Sequence, residues 1–253
     1  MLRSLQMART SMQIEQARID VLANNLANVA TSGFRQVLTR VTEEGATTAA
    51  DAPPGGRPSA FDLRASRDLN VSHATDTRSG DISATGRNSD VALLSRGFFV
   101  VQDPEGGEFY TRDGSFYLDD NGRLVTAGGQ QVLGTGGPVE VGGGTLEIQN
   151  DGVVLVDGAA RGRLRVVDFG DPSLLLHRGD SLLAAPADQT ATDVPATEVS
   201  VLQGHLEGSN VDAVRTLVDM IAAQRAFEVQ SKMLQAADES LQKSVNNLSA
   251  VRG

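Results

Sequence analysis

The sequence predicts a mixed α and β protein. Long helices at the amino and carboxy termini are expected to form a coiled-coil-like stalk, and an all-β domain of short antiparallel strands is inserted between them. Apolar residues recur every seven positions in both terminal regions of the 253-residue chain, which is the spacing of a helix that packs on a partner helix. Between those regions, short apolar runs alternate with Asp-Gly, Asn-Gly and Gly-Gly turns, as in all-β domains.

The carboxy-terminal helix of the stalk is predicted within residues 207–253. Neither Pro nor Gly interrupts the stretch from Asn210 to Arg252, and forty residues of helix extend over roughly 60 Å. Ser209 and Asp212 are spaced as in a capping box, which marks the start of the helix. The apolar stripe consists of residues seven positions apart: Met220, Phe227, Leu234, Leu241 and Leu248.

The amino-terminal helix of the stalk is predicted within residues 1–33 and closes at Ser32-Gly33, where Gly can adopt the left-handed conformation. Glu15 interrupts its seam, as Gln230 interrupts the seam of the other helix. Two matched stripes favour one stalk closed by both chain ends; the alternative is that each helix lies on its own globular domain. The apolar stripe of this helix consists of Leu5, Met12, Ile19 and Leu26.

Three asparagines near the end of this helix are poor helix formers and need an explanation. Asn25 and Asn28 flank the stripe, and Asn24 precedes them. One interpretation is a frayed helix end close to Gly33. The interpretation we favour is that the side-chain amides form hydrogen bonds to neighbouring helices and fix their register, as a buried Asn does in coiled coils.

Residues 34–75 are predicted to be a linker or an extended, variable region. The stretch from Thr42 to Ser59 is rich in Ala, Thr, Gly and Pro. Such a composition contains too little apolar surface to become ordered by itself.

Residues 76–206 are predicted to form the all-β domain, a sandwich or barrel. Residues 90–102 contain two apolar runs separated by Arg96-Gly97, which indicates two strands. Residues 109–118 are predicted to form a tight hairpin around Asp113-Gly114, because Asp-Gly suits a turn with positive φ. Asn121-Gly122 is predicted to form a second turn of that kind.

Composition excludes several classes of partner. The formal net charge of −10 argues against binding to nucleic acid, which depends on Lys and Arg contacts to phosphates, and against an anionic membrane surface. The chain has no Cys, so no disulfide or thiolate metal site is expected. The chain has no apolar run of about eighteen residues, so membrane insertion is not expected. No signal peptide is recognisable.

The sequence predicts no enzyme, no catalytic or metal-binding residues and no cofactor. His73, His177 and His205 are isolated from one another and from any metal-binding motif. Ser240 and Lys243 match an S-x-x-K pattern, but they lie in the predicted helix and the partner motif is missing. The glycines form no phosphate-binding loop and are placed where hairpins need them.

Three stretches resemble one protein family. Residues 24–35, NNLANVATSGFR, resemble the amino-terminal signature of bacterial flagellar rod and hook proteins. Residues 204–211, GHLEGSNV, with the VDMI and QRAFE runs that come after them at 218–221 and 224–228, resemble their carboxy-terminal signature. Residues 90–99 and 110–116 resemble the central region of the basal-body rod proteins in particular.

The resemblance implies a structural subunit of the flagellar basal-body rod. Such a subunit polymerises through its terminal helices into the axial shaft, which transmits torque and encloses the export channel. Its partners are other copies of itself, other rod and hook subunits and the flagellar export apparatus, a type III system that exports it without a cleaved signal peptide into the periplasm-spanning rod. The subunit-packing residues are then the two stripes and two asparagines: Leu5, Met12, Ile19, Leu26, Asn25, Asn28, Phe227, Leu234, Leu241 and Leu248.

Within this family the proximal rod protein is favoured over the distal one. The amino-terminal helix looks more like distal rod proteins, but residues 206–211 and 136–139 look more like the proximal one. The alternative function is an extracellular wall- or carbohydrate-processing β domain on a helical stalk. That activity would need two carboxylates with separate roles, usually beside aromatic residues, and the chain has no Trp.

Overall fold

The computed structural model describes residues 2–44 and 68–250, with side chains at 9–41, 72–237 and 239. Two helices lie within the described residues, as the sequence predicts. Helix α1 spans Leu2–Ala27 and ends before Ser32-Gly33, where the sequence predicted its end, and α2 spans Ala213–Ala250. Residues 205–207 form a strand and the helix begins only at Ala213. The predicted capping box is therefore wrong: Ser209 lies before the helix, and its Oγ accepts the Val211 N–H at 3.2 Å. The pairing of α1 with α2 in a coiled coil stays a prediction.

Nineteen short strands lie between the helices in the part of the chain that the structure describes. They are β1 Val37–Glu44, β2 Asp68–Thr75, β3 Ile82–Ala84, β4 Val91–Leu93, β5 Phe98–Gln102, β6 Glu108–Thr111, β7 Tyr117–Leu118, β8 Leu124–Val125, β9 Gln131–Gly134, β10 Gly137–Pro138, β11 Leu146–Ile148, β12 Val153–Val156, β13 Ala159–Arg163, β14 Val166–Asp168, β15 Leu176–Gly179, β16 Leu182–Ala184, β17 Thr192–Asp193, β18 Val201–Gln203 and β19 His205–Glu207. A 3₁₀ turn at Pro172–Leu174 precedes β15.

The largest sheet has ten strands in the order β15-β16-β6-β5-β9-β8-β7, with β10 on β9, β14 on β5 and β17 on β14. Strands β11, β12 and β13 form a second sheet, and β1-β2, β4-β18 and β3-β19 are separate pairs. The pairings with a described register are antiparallel, for example Val100 opposite Tyr110.

Strand β5 shows where the core lies. Its sequence, Phe-Phe-Val-Val, alternates between the two faces of the large sheet. Phe99 and Val101 pack in one apolar cluster with Phe116, whereas Phe98 and Val100 pack in another. Because the sheet is covered on both faces at this strand, the sequence is continuously apolar there.

The predicted hairpin around Asp113-Gly114 is wrong. Strand β6 pairs with β5 and β16, and β7 pairs with β8, so the segment crosses from one part of the sheet to another. Gly114 is needed because a Cβ there would lie 1.7 Å from the carbonyl oxygen of Val91. The Asn121-Gly122 turn is confirmed: it connects the antiparallel strands β7 and β8, and Gly122 has φ 75°.

The chain divides into two compact units. Residues 25–37 and 74–213 form one of them, which we call the body. The described parts of the other, which we call the helical unit, are residues 2–24, 38–44, 68–73 and 214–250. The predicted linker is therefore partly strand, as β1 and β2 form a two-stranded sheet; its central part, 45–67, lies outside the described residues. Over the residues described, neither α1 nor α2 is apolar enough to span a membrane.

Candidate functional site

Asn25 ties the end of α1 to the start of β1. Its side-chain amide donates to the Val37 carbonyl oxygen at 2.8 Å, and its Oδ1 accepts the Val37 N–H at 2.9 Å. Asn25 is fully buried within its own chain, so its side chain has no exposed surface for the predicted contact with a neighbouring subunit. Asn28 is half-buried, and its Oδ1 accepts from Thr31 Oγ1 at 3.2 Å; its predicted contact between subunits stays a prediction.

The segment after α1 is held against the body by its backbone. Gly33 has φ 65°, and its N–H donates to the Glu207 carbonyl oxygen at 2.8 Å. A Cβ at this glycine would lie 2.1 Å from the Asp113 nitrogen, so no other residue fits without a shift of the backbone. The next residue, Phe34, is buried, and its ring centroid lies 5.5 Å from that of His177. Burial lowers the pKa of His177.

A buried charged cluster lies beside this segment. Arg35 Nη2 forms an ion pair with Glu207 Oε1 at 2.8 Å that lacks hydrogen-bond geometry, and Arg35 Nη1 donates to the Arg78 carbonyl oxygen. Arg112 Nη1 lies 3.4 Å from the other carboxylate oxygen, Glu207 Oε2. The side chain of Glu207 is fully inaccessible, and those of the two arginines nearly so. We call Arg35, Glu207 and Arg112 the triad.

Arg112 shows the cost of this arrangement. Burial lowers the pKa of its guanidinium to about 10, and the positive charge of Arg35 acts in the same direction, whereas Glu207 opposes the shift. The guanidinium also lies 5.5 Å from the centroid of the Phe98 ring, and Nη1 donates to the Leu93 carbonyl oxygen at 3.0 Å. Both contacts favour the charged form.

Asn210 adds neutral hydrogen bonds to the same place. Its Oδ1 accepts the Gln36 N–H at 2.7 Å, and its amide donates to the Arg78 carbonyl oxygen at 2.8 Å. The three stretches that carry the family resemblance therefore meet around one carboxylate. Arg35, Arg112 and Glu207 all lie within the motifs that carry the resemblance. The sequence alone assigned them no role, because residues so distant along the chain show no local sign of contact.

The helix stripes have a different distribution from the one predicted. Of the α1 stripe, Met12, Ile19 and Leu26 are half-buried, as are Phe227 and Leu234 of the α2 stripe. The side chains of Leu5, Leu241 and Leu248 lie outside the described residues. The fully buried positions of α2 among residues 214–237 are instead Thr216 and Ala223, which are seven positions apart.

A second set of apolar residues is exposed on α2. At about 100° per residue, Val214, Val218 and Ile221 lie roughly opposite Ala223, whereas Met233 lies about 80° from it. The charged residues Arg225 and Lys232 lie among them. The exposed fraction is 60% for Val218 and 66% for Met233. Six large apolar residues are exposed on the described part of α2. We call all of them except Leu217 the outer stripe; it consists of Val214, Val218, Ile221, Val229 and Met233. Sequence reasoning missed it because only two of its members, Val214 and Ile221, are seven positions apart.

No group of His, Cys, Asp or Glu within the described parts of the chain is arranged to hold a metal ion. A groove of about 270 Å³ is lined by Arg163, Arg165 and Asp193, among others. Both arginines in it form ion pairs, Arg163 with Asp151 at 2.9 Å and Arg165 with Asp193 at 2.8 Å. The groove therefore offers no uncommitted charge for a substrate.

Comparison with known proteins places three matches along the chain. Residues 5–35 match the family described as "Flagella basal body rod protein", residues 92–156 match "Flagellar hook protein FlgE/F/G D1 domain", and residues 202–248 match "Flagellar basal body rod FlgEFG protein C-terminal". These are the regions that contribute Arg35, Arg112 and Glu207 to the triad.

Relatives match over nearly the whole chain. Similar proteins include the flagellar basal-body rod protein FlgG of Buchnera aphidicola subsp. Acyrthosiphon pisum, which is 33% identical over 96% of this chain and 98% of its own. FlgG of Bacillus subtilis is 32% identical over 97% and 99%, and FlgF of Caulobacter vibrioides is 34% identical over 92% of each chain. The preference for the proximal rod protein gains no support, because FlgG, the distal rod protein, is the commoner name among these relatives.

Proposed function

We propose, from the premise that this chain belongs to the flagellar basal-body rod protein family, that the outer stripe of α2 is the surface through which its subunits pack. The chain is a structural subunit of the rod and is located in the flagellar basal body. The comparisons give no support to the wall-processing alternative. A structural subunit of a polymer needs at least one surface that a neighbouring subunit can bind.

The exposure of the outer stripe is the observation that carries the proposal. Val218 and Met233 are more than half exposed, although α2 already buries Thr216 and Ala223. Full burial of a side chain of this size contributes about 1.5–3 kcal/mol. Helix α2 therefore buries one side within its own chain and leaves apolar residues, mixed with Arg225 and Lys232, exposed for a partner.

We call the side of α2 that contains the buried Thr216 and Ala223 the inner side. The described residues that the seven-residue spacing predicts for α2 lie on this side. Phe227 and Leu234 lie on the same side as Ala223, since each is within about 40° of it around the helix, and both are half-buried. We propose that they pack against another helix and that Met12 and Ile19 of α1 do likewise. Leu5, Leu241 and Leu248 extend the same spacing and complete the proposed packing surfaces.

Assembly then results from the repetition of one contact. A contact between unlike surfaces of identical subunits does not close on itself and generates a helical filament, as an axial shaft requires. The terminal helices then pack side by side around the export channel, and the shaft transmits torque through its rigidity. The partners are copies of this chain and other rod and hook subunits, and the chain reaches them through the flagellar export apparatus.

The test replaces two exposed residues of the outer stripe, Val218 and Met233, with Asp. In the monomer both carboxylates remain in water, so thermal unfolding should be unchanged. In the polymer each would be buried without a partner, which costs several kcal/mol. We expect a folded, exported protein that does not restore motility to a strain lacking the gene.

The matched control replaces Gln224 and Gln235 with Asp. Both are exposed positions of α2 outside the outer stripe, so the control adds the same charge to the same helix. It should restore motility to near the wild-type level. Normal swimming by the Val218→Asp, Met233→Asp variant would exclude the outer stripe as a packing surface and would leave the chain's membership of the family untouched.

A further inference from the structure

We infer that Glu207 is a shared counter-ion that makes folding of the body conditional on the segments at both of its ends. The inference concerns how one subunit folds and does not depend on the proposed packing of the helices. It states that residues 25–37 and residues 207–213 are parts of one cooperative fold and do not dock independently on a finished β domain.

The charge balance makes burial of the two arginines depend on Glu207. Two guanidiniums share one carboxylate, and all three side chains are buried. The Nε atoms of Arg35 and Arg112 have no hydrogen-bond partner among the described residues. Without the carboxylate, two like charges would remain in an apolar interior, where an unpaired charge costs several kcal/mol. Along the chain, Arg35 lies near the start of the body and Glu207 near its end. Arg35 can therefore be buried only when the segment that contains Glu207 is in place.

Each member of the triad also fixes the backbone of another segment. Glu207 Oε1 accepts the Gly80 N–H at 2.9 Å, and the Glu207 carbonyl oxygen accepts the Gly33 N–H at 2.8 Å. Arg35 donates to Arg78, and Arg112 donates to Leu93. The contacts of these three residues therefore hold together segments from both ends and the middle of the body sequence.

Other ion pairs of the body differ from the triad in their exposure. Arg165 pairs with Glu108 at 3.1 Å, but these side chains are 27% and 40% exposed. Exposed pairs of this kind contribute little to stability. Removal of one partner there leaves a charge that water can solvate, which makes this pair a suitable control for the triad.

The experiment measures hydrogen exchange in the full-length protein. In the Glu207→Gln variant we expect exchange to accelerate about tenfold or more in peptides covering 30–37, 108–115 and 203–210 together, with a lower urea midpoint. The control variant Glu108→Gln should leave all three within about twofold of wild type. Acceleration confined to 203–210, or none, would overturn the inference, because the ends would then dock independently.

A further variant keeps the test decisive if Glu207→Gln does not fold. The triple variant Arg35→Met, Arg112→Met, Glu207→Leu removes every charge of the triad, and apolar replacement of a whole buried ionic triad is often neutral or stabilising. We expect it to fold and to recover most of the urea midpoint lost in Glu207→Gln. A triple variant as unstable as Glu207→Gln would show that unpaired charge is not the cause and would contradict the inference.

Discussion

At the scale of single residues, the charged and small residues of the family motifs serve the interior of the body. Arg35, Arg112 and Glu207 pair with one another, and Gly33 allows the chain to pass close to the Asp113 backbone. None of these side chains is exposed enough to contact a neighbouring subunit. Their role in assembly is therefore indirect: they determine whether the subunit that assembles is folded.

Replacement of Gly33 with Ala should destabilise the body by about 2–4 kcal/mol. The cost combines left-handed backbone strain with overpacking against Asp113, since Gly33 has φ 65°. Urea unfolding followed by circular dichroism measures the loss. Gly143→Ala is the control, because a Cβ at Gly143 meets nothing within 4 Å; equal midpoints for the two variants would contradict the close approach at Gly33.

The body should lose stability as the pH falls below 6.5, the ordinary pKa of histidine. Burial lowers the pKa of His177 in the folded chain, so the unfolded chain binds the proton at a higher pH. The contribution of neutral His177 is therefore complete above pH 6.5 and is lost below it.

Melting temperatures between pH 7.5 and 5.5 test this, and the decline should be shallower in His177→Gln. The exposed His73 is the control, since His73→Gln should retain the decline of the wild type. An undiminished decline in His177→Gln would assign the pH dependence to other groups.

At the scale of elements, helix α2 has a buried row around Thr216 and Ala223 and exposed apolar residues elsewhere on its surface. The seven-residue spacing identifies only the inner side, where Gln230 interrupts the row of Ala223. The Oε1 atom of Gln230 is buried and has no hydrogen-bond partner among the described residues, and the same is true of Glu15 Oε2. A buried acceptor without a partner destabilises the structure around it.

Gln230→Met should therefore slow hydrogen exchange in the middle of α2. A buried acceptor that lacks a partner costs about 1–3 kcal/mol of stability. Met has nearly the length of Gln and removes this acceptor. Mass spectrometry of peptides covering 225–237 measures the effect. The exposed Gln235 provides the control: Gln235→Met should change little, and a similar result for both variants would mean that Oε1 of Gln230 is solvated.

At the scale of the whole molecule, the two units should differ in stability within one chain. Between residues 9 and 24, α1 has no fully buried side chain, whereas the body contains two apolar clusters. Most helix stability in proteins comes from packing, so the helices of an isolated subunit should open more readily than the body.

Hydrogen exchange on the dilute monomer should show this difference inside the amino-terminal motif. Amides before residue 24 should exchange rapidly, whereas those at 33 and 37 should be protected by their bonds to Glu207 and Asn25. Protection should also be strong in the described strands between 90 and 170. Uniform protection through α1 would contradict the division and indicate that the helical unit is stable before assembly.

The sequence alone determined the features that depend on near neighbours. The spacing of apolar residues indicated helices at both ends and short strands between them, and Asn121-Gly122 marked a turn, because periodicity and positive φ are local properties of the chain. Tertiary structure alone decided which partners these elements meet. It paired β6 with β5 and β16 instead of β7, and it fully buried Asn25 within its own chain.

It also placed Arg35 and Arg112 on either oxygen of Glu207 and left the outer stripe of α2 exposed. A repeat in the sequence shows which residues share a side of a helix, but it does not show which side is covered. Likewise, the buried position of a charge depends on a counter-ion that can lie 95 residues away, as Glu207 does from Arg112. Contacts of this kind form only when the chain folds back on itself, so no local pattern predicts them.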